Sequence, residues 1–318
     1  MFFDSFKVTA SAVFQIFLLG GFGYFLVKKE VLGHEGLKAL SRLTIDITLP
    51  VLIFCQLIKD FRFDIYPDWW LFPLLSLGIT VFGLVVGSIF VGFIKGHQQK
   101  LQFLSLTAFQ NSGYLPLALL AALIPADKAG PVLIYLFLFL LGFNLTMFSV
   151  GVHMLCFHKN KKFELASLFS PPVIAVLFSL TFIFFGLQKL MPEALYRSLR
   201  LIGDCTLPLA MFVVGGNLAD INLGKINAKE MLLLILAKMI LMPAIGLWLI
   251  FVLKIPQMIG LLLLVQLAMP SATSLSVIVS HYKKEDLLIS QGIFFSHLAS
   301  IITIPAFLII YFRYFMLQ

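Results

Sequence analysis

Long apolar runs alternate along this chain with short polar clusters. A stretch of about 20 mostly apolar residues is the length that a helix needs to cross roughly 30 Å of hydrocarbon. Ten such stretches follow one another with short loops between them, which predicts ten transmembrane helices and leaves no length for a soluble domain. The predicted spans are 8–27, 38–58, 70–94, 101–124, 131–156, 172–190, 198–219, 231–253, 257–280 and 287–312.

Composition favours the same class of protein. Hydrophobic residues make up 60% of the 318 residues and charged residues only 12%, whereas about 25% of the residues of a soluble domain are charged. The first span is longer than the apolar core of a typical signal peptide, and no small-residue cleavage pattern follows it, so we interpret it as a structural helix. We therefore expect an all-α integral membrane protein.

Basic residues indicate the orientation of this bundle. Nine Lys and Arg side chains belong to the termini and even-numbered loops, and twelve belong to the odd-numbered loops and their helix edges. The positive-inside rule then predicts cytoplasmic odd-numbered loops and extracytoplasmic termini, in a multi-pass protein of the cell inner (plasma) membrane. The most basic loop, HKNKKFE at 158–164, fits a cytoplasmic anchor at anionic lipid headgroups, so the net charge of +8 requires no nucleic-acid partner.

An internal repeat divides the chain into two halves. Residues 42–54, RLTIDITLPVLIF, match residues 200–212, RLIGDCTLPLAMF, at seven of thirteen positions with a constant offset of 158. We predict two five-helix units, residues 1–160 and 161–318. Because five is odd, the second unit enters the membrane from the opposite face, and inverted repeats of this kind are typical of secondary transporters.

Polar residues, glycine and proline interrupt the fourth and ninth predicted spans. The fourth contains QNSGYLPLALL (110–120) and the ninth contains VQLAMPSATSL (265–275). Proline removes an amide donor and glycine weakens a helix, so each span is predicted to split into half-helices whose N-termini suit an anion. A simple proline kink is the alternative for either span. The predicted substrate-binding residues are Gln110, Asn111, Gly113, Tyr114, Pro116, Gln266, Pro270, Ser271, Thr273 and Ser274, with Gln56, Asn144 and Asn217 as secondary candidates.

These stretches together carry a resemblance to a known family. QNSGYLPLALL, the paired TLP motifs, PLAMFVVGGNLADI at 208–221, AMPSATSLSVIVSHY at 268–282 and IITIPAFLII at 301–310 resemble the auxin efflux carrier family over essentially the whole chain. Bacterial members of that family look like malate and malonate permeases, and plant members export auxin. The resemblance implies ten helices in two inverted repeats, with a scaffold domain and a transport domain whose broken helices 4 and 9 cross.

By that resemblance, Asn111, Gly113, Pro116 and Pro270 fall at the crossing, and a homodimer is expected. One departure concerns the pocket. Bacterial relatives often have further glycines between the Asn and the Pro, whereas Tyr114 and Leu115 occupy those positions here. The shape of the pocket, and hence the substrate, should therefore not be carried over.

Three charged residues lie inside predicted spans and are candidates for ion coupling. Asp46 and Asp204 occupy equivalent repeat positions, and a carboxylate within a membrane is a functional candidate by default. Each also follows an arginine by four residues, so each side chain could instead brace its helix in an ion pair. Lys238 could be a counter-ion for Asp204, a contact for a substrate carboxylate, or a side chain that snorkels to the headgroups.

Other polar and small residues have ordinary explanations. We expect buried thiols without a disulfide at Cys55, Cys156 and Cys205, packing or a proton relay at His153 and His297, and no metal site. Glycines in spans 1 and 3 are expected to let helices approach closely. They are Gly20, Gly21, Gly23, Gly83, Gly87 and Gly92.

We therefore predict a secondary active carrier of small organic anions such as mono- or dicarboxylates, with alternating access, possible H⁺ or Na⁺ coupling and no other cofactor. A channel or a ligand-sensing receptor on the same scaffold is the alternative from another class. An intramembrane aspartyl protease would also use two Asp residues, but its Gly-x-Gly-Asp signature needs glycine where this chain has Leu201. We expect no enzyme activity.

Overall fold

A computed structural model describes residues 2–156, 168–221, 223–224, 226–281 and 287–316. The basic loop at 158–164 lies outside the described residues. Within them the regular secondary structure is helical, and we number twelve helices. They are α1 Phe2–Lys28, α2 His34–Asp60, α3 Leu71–Phe93, α4 His97–Ala108, α5 Tyr114–Leu123, α6 Gly130–Leu155, α7 Pro171–Phe184, α8 Glu193–Ala219, α9 Ala228–Val252, α10 Gln257–Ala268, α11 Ser274–His281 and α12 Leu287–Met316.

Seven of these helices are long and apolar enough to cross a membrane, namely α1, α2, α3, α6, α8, α9 and α12. Shorter helices occupy the fourth, sixth and ninth predicted spans. The sixth predicted span, 172–190, corresponds to the shorter helix α7, which ends at Phe184 before Gly186 with its left-handed backbone at φ 69°. A left-handed glycine after a helix lets the last carbonyl groups of the helix find hydrogen-bond donors, and it turns the chain away from the helix axis.

Both predicted interruptions are present. Residues 109–113 separate α4 from α5, and residues 269–273 separate α10 from α11. Pro270 lies within the second interruption, as its missing amide donor would lead one to expect. Pro116 instead lies in the first turn of α5. An amide at that position would have no intrahelical acceptor, so proline is tolerated there. The first interruption therefore precedes its proline.

Proline also explains local widening of two long helices. A π-helical segment at Thr44–Thr48 precedes Pro50 in α2, and another at Ile235–Leu241 precedes Pro243 in α9. Proline cannot donate to the preceding turn and collides with it, so the turn before it widens. Segments of this kind are frequent at functional sites, and these two contain Asp46 and Lys238.

The helices pack in two groups. One contains α1, α2, α7 and α8, in which α1 runs along α8, and α2 packs on α7 and α8. The other contains the remaining helices, with α3 packed on α4 and α6, and α12 packed on α4, α9 and α10. We call these groups the scaffold group and the core group. The interface between them includes α1 against α5 and α12 and α2 against α6.

Glycines permit the closest helix contacts. A Cβ atom on Gly23 would overlap with the backbone of Phe212, and one on Gly83 would lie 2.7 Å from the Ala108 Cα. The predicted role in close packing is thus confirmed for these two and for Gly87. It is wrong for three others, where an added Cβ would meet no heavy atom within 4 Å. They are Gly20, Gly21 and Gly92.

Gly215 of α8 provides a test of this packing. A Cβ atom there would overlap with the backbone carbonyl of Gly20 in α1, so Gly215→Ala is expected to separate the two helices and lower the thermal midpoint by several degrees. The matched control is Gly78→Ala in α3, where a Cβ meets no atom within 4 Å and alanine favours the helix. Equal midpoints for the two variants in detergent would contradict the packing described here.

Candidate functional site

The two interruptions lie side by side and pair through their backbones. The amide of Asn111 donates to the Pro270 carbonyl oxygen at 2.8 Å, and the amide of Ala272 donates to the Phe109 carbonyl oxygen at 2.9 Å. Gln110 and Ser271 form an antiparallel bridge between these bonds. Non-helical backbone at membrane depth is tolerated only where its polar groups find partners, and here each interruption supplies partners for the other.

Side chains complete this junction. The Ser271 hydroxyl donates to the Leu106 carbonyl oxygen at 2.7 Å, and the Gln266 amide nitrogen Nε2 donates to the Ser112 carbonyl oxygen at 3.2 Å. The Ser271 amide in turn donates to the Ser296 hydroxyl of α12 at 3.1 Å. These polar side chains therefore hold the two interruptions together and connect them to α12.

A cavity of about 260 Å³ lies on one side of the junction. Its wall consists of residues 110–114, one face of α6, residues 272–274 with Ile278 of α11, and parts of α2, α7 and α8. The cavity is thus shared between the scaffold group and the core group. Its volume is slightly below the roughly 300 Å³ at which pockets for drug-sized ligands begin, so it suits a small organic molecule.

Several polar atoms in this wall are buried without a protein partner. They are Oε1 and Nε2 of Gln110, Nδ2 of Asn111, and the hydroxyl oxygens of Ser112, Tyr114 and Ser170. Buried polar groups are nearly always hydrogen-bonded, and a group that is not needs a specific explanation. Their concentration around one cavity is explained by a polar ligand or by water in its place.

Three helices begin at the cavity wall. They are α5, which begins directly after Gly113, α7, which begins directly after Ser170, and α11, which begins directly after Thr273. No side chain caps the first residues of α5 or α7, so their N-terminal ends keep their partial positive charge. Among the described residues that line the cavity, none carries a formal charge. The electrostatic preference of the site therefore comes from helix ends and amide donors, and it favours an anion.

The structure divides the predicted substrate-binding residues into two sets. Six line the cavity, and four lie behind it, where Gln266 and Ser271 brace the junction. The lining set is Gln110, Asn111, Gly113, Tyr114, Thr273 and Ser274, and the second set is Pro116, Gln266, Pro270 and Ser271.

Sequence reasoning missed Ser112 and Ser170, which also line the cavity. Ser170 directly precedes Pro171 and Pro172, and serine followed by proline is a pattern that marks the start of a helix. This signal could have placed Ser170 at a helix end. The secondary candidates Asn144 and Asn217 do line the cavity, whereas Gln56 accepts a hydrogen bond from Arg200 at 3.0 Å elsewhere.

The two repeat-related carboxylates are exposed at the surface of the bundle. Asp204 forms an ion pair with Arg200 four residues earlier, at 2.8 Å between Oδ1 and Nε. This pair is the bracing interaction that the sequence left open. Asp46 lies close enough to the Tyr114 hydroxyl to interact with it electrostatically.

The position of Lys238 in the structure matches none of the three roles that the sequence suggested for it. Its side chain is fully buried, so snorkelling to the headgroups is wrong. Its Nζ donates to the Thr107 carbonyl oxygen at 2.9 Å, and within the described part of the chain it forms no ion pair with Asp204. It also does not line the cavity.

The other singled-out residues contribute little to this cavity. Cys55 is buried, but the prediction of a buried thiol at Cys205 is wrong because Cys205 is exposed; the Cys156 side chain lies outside the described ones. His297 is buried with Nδ1 2.8 Å from the Ile293 carbonyl oxygen, whereas His153 is exposed. The described residues contain no cluster of metal ligands.

A known protein family matches this chain along most of its length. The family model described as "Membrane transport protein" matches residues 8–162 and 154–308. A more distant similarity exists to "Protein PIN-LIKES 6" of Arabidopsis thaliana, with 28% identity over 120 residues. That alignment covers 37% of this chain and only 28% of the plant protein. Because the family model covers nearly the whole sequence, the chain belongs to the membrane transport proteins of the auxin efflux carrier family.

Proposed function

We propose that the protein is a secondary active transporter of small organic anions, with mono- or dicarboxylates as the substrate class. The observation that carries this proposal is the group of unpartnered buried donors at the helix N-termini around the cavity. A hydrogen bond to a charged group contributes about 1.5–3 kcal/mol. A few such bonds would account for selective binding of a carboxylate without a charged side chain.

The cavity also suggests how the substrate lies. Its carboxylate would accept bonds from Asn111 Nδ2 and from the first amides of α5, which have no intrahelical partner. The remainder of the substrate would contact apolar residues of α2 and α6, including Leu49, Phe143 and Met147. Tyr114 occupies a position where related carriers often have glycine. A substrate of this protein would therefore need a polar group that forms a hydrogen bond with the Tyr114 hydroxyl.

Alternating access would follow from movement of the core group against the scaffold group. In our proposal the core group is the transport domain, and helices 4 and 9 of the ten-helix scheme are its crossing broken helices, α4–α5 and α10–α11. Two inverted repeats, 1–160 and 161–318, are supported by a reciprocal exchange at the scaffold. There α1 of the first unit packs on α8 of the second, and α7 of the second packs on α2 of the first.

We further propose a cytoplasmic opening for this cavity. Its outer wall includes Ser41, Phe148, Ser170 and Asn217, which lie near the odd-numbered loops that charge assigns to the cytoplasm. In that orientation the termini are extracytoplasmic, the protein resides in the plasma membrane, and this conformation is the inward-facing one.

Of the two carboxylates, we propose that Asp46 is the better candidate for coupling to protons. It follows Ile45 of the cavity wall and lies within electrostatic range of Tyr114, whereas Asp204 is engaged by Arg200. Asp204 would then act as a brace for α8. The homodimer implied by the family resemblance is retained as part of the proposal.

Substitution of Asn111 tests the site. Asn111→Ala removes an unpartnered donor but leaves the backbone bond to Pro270 intact, so we expect carboxylate affinity to fall at least about tenfold while the protein stays folded. The measurement is the thermal midpoint of detergent-purified protein across a panel of mono- and dicarboxylates, since a ligand of the folded state raises that midpoint.

The control variant for this experiment is Asn227→Ala. Asn227 caps α9 outside the cavity and accepts a bond from the Glu230 amide at 3.4 Å. This variant is expected to lose some stability but to keep the carboxylate response. Wild-type affinity in Asn111→Ala would remove Asn111 from the site, and a panel without any responding carboxylate would refute the anion proposal.

Flux measurements separate a carrier from a channel. Proteoliposomes that contain a carboxylate identified by the panel should take up labelled substrate with saturable kinetics, and unlabelled substrate inside should accelerate uptake. A carrier must reorient for each molecule, so exchange is faster than net flux. Flux that rises linearly with concentration would favour the channel, and binding without flux would favour a receptor.

Cysteine labelling tests the orientation. In a variant whose three native cysteines are replaced by alanine, Asn217→Cys should react with a membrane-impermeant maleimide from the cytoplasmic side only, and substrate should slow the reaction. The matched position is Lys189→Cys, an exposed residue in the connection after α7, which should react from the other side. Labelling of the two positions in the opposite sense would reverse the proposed topology.

A further inference from the structure

The C-terminal end of α4 points into the interior of the bundle rather than into water. The last carbonyl groups of a helix have no partner within it and must find one elsewhere. Here the Ser105 carbonyl oxygen accepts from the Phe109 amide at 3.0 Å, and that of Leu106 accepts from the Ser271 hydroxyl at 2.7 Å. The Thr107 carbonyl oxygen accepts from Lys238 Nζ at 2.9 Å.

Lys238 reaches this end from α9. Its side chain is fully buried, and its Nζ also lies 3.8 Å from Met242 Sδ. In the described part of the chain no carboxylate pairs with it. Lys238 lies within the π-helical segment Ile235–Leu241. A π-helical turn changes the directions in which its side chains leave the helix.

A third helix closes the space around the ammonium group. An added Cβ on Gly83 of α3 would lie 2.9 Å from the Thr107 carbonyl oxygen and 3.2 Å from the Met242 methyl carbon. The helix end, Lys238 and Met242 are thus packed together with no room for a side chain at Gly83. A bound ion with its own ligands would have to displace the lysine.

The electrostatics of this location favour a cation. A helix C-terminus carries the equivalent of about −0.5 elementary charge, and inside a membrane no water screens it. In secondary transporters, coupling Na⁺ is held by unwound carbonyls and by the C-terminal ends of half-helices. The end of α4 offers such carbonyls, but protein donors already occupy the three that precede its last residue.

We propose that the Lys238 ammonium is a built-in cation that takes the place of a coupling Na⁺ at the end of α4, so that anion binding needs no Na⁺. The inference rests on the proposed function, because the cation is assigned to the machinery of an anion carrier. Lys238 is a positioning residue here. It stabilises the junction that presents Asn111, and its positive charge behind the junction offsets the negative charge of a bound carboxylate.

The test compares wild type with Lys238→Gln, which keeps an N–H donor but removes the charge. Lys229→Gln is the matched control, because Lys229 is an exposed lysine of the same helix. Each detergent-purified protein is measured with and without the best carboxylate in 150 mM NaCl, KCl and choline chloride, a concentration of about physiological ionic strength. The readouts are the thermal midpoint and the carboxylate Kd.

For the ligand-free wild type we expect equal midpoints in the three salts. A rise specific to Na⁺ would reveal a sodium site and overturn the proposal, whether or not any carboxylate binds. With carboxylate, wild type and Lys229→Gln should have Kd values within twofold in all three salts, and Lys238→Gln should bind at least tenfold more weakly in choline.

A folded Lys238→Gln with wild-type affinity in choline would overturn the role of the charge. If Lys238→Gln does not fold, Lys238→Met is used, since methionine fills the same buried volume without a polar group. Failure of the proposed function has a different signature, in which wild type responds to no carboxylate in any salt. The Na⁺ comparison of the ligand-free protein still decides the inference in that case.

Discussion

The rest of this structure depends on the mutual pairing of two interrupted helices inside an apolar bundle. Each interruption exposes backbone donors and acceptors at a depth where water is scarce, and such groups cost several kcal/mol when they stay unpaired. The bonds between Asn111 and Pro270 and between Phe109 and Ala272 remove that cost from both segments at once. Neither interruption would be tolerable without the other, which is why the helices must break at matching places.

The satisfied backbone of this junction contrasts with the unsatisfied side chains beside it. The Gln266 and Ser271 side chains donate hydrogen bonds to backbone carbonyl oxygens of the opposite segment, so their role is to stabilise the junction. Gln110, Asn111, Ser112 and Tyr114 keep buried polar atoms without a protein partner. Gln266 Oε1 also lacks a partner, but Gln266 does not line the cavity, so position at the cavity together with hydrogen bonding separates the brace from the candidate binding surface.

The same junction connects the two sides of the transport machinery that we propose. On one side, the beginnings of α5, α7 and α11 give the cavity a preference for negative charge. On the other side, the end of α4 is neutralised by Lys238. A split helix thus presents its positive end to the cavity and its negative end to a fixed cation.

The sequence by itself determined the membrane class, the location of both interruptions and the residue types near them, because apolar length, proline and glycine act locally along the chain. It also placed Asn111 and Tyr114 in the cavity wall. Only the tertiary structure decided that Ser271 is a brace, that Ser170 reaches the cavity and that Lys238 is buried against Thr107 rather than snorkelling. It also decided that Asp204 pairs with Arg200 at the surface. Each of these outcomes depends on which distant backbone groups a side chain meets after packing, and a linear pattern does not contain those distances.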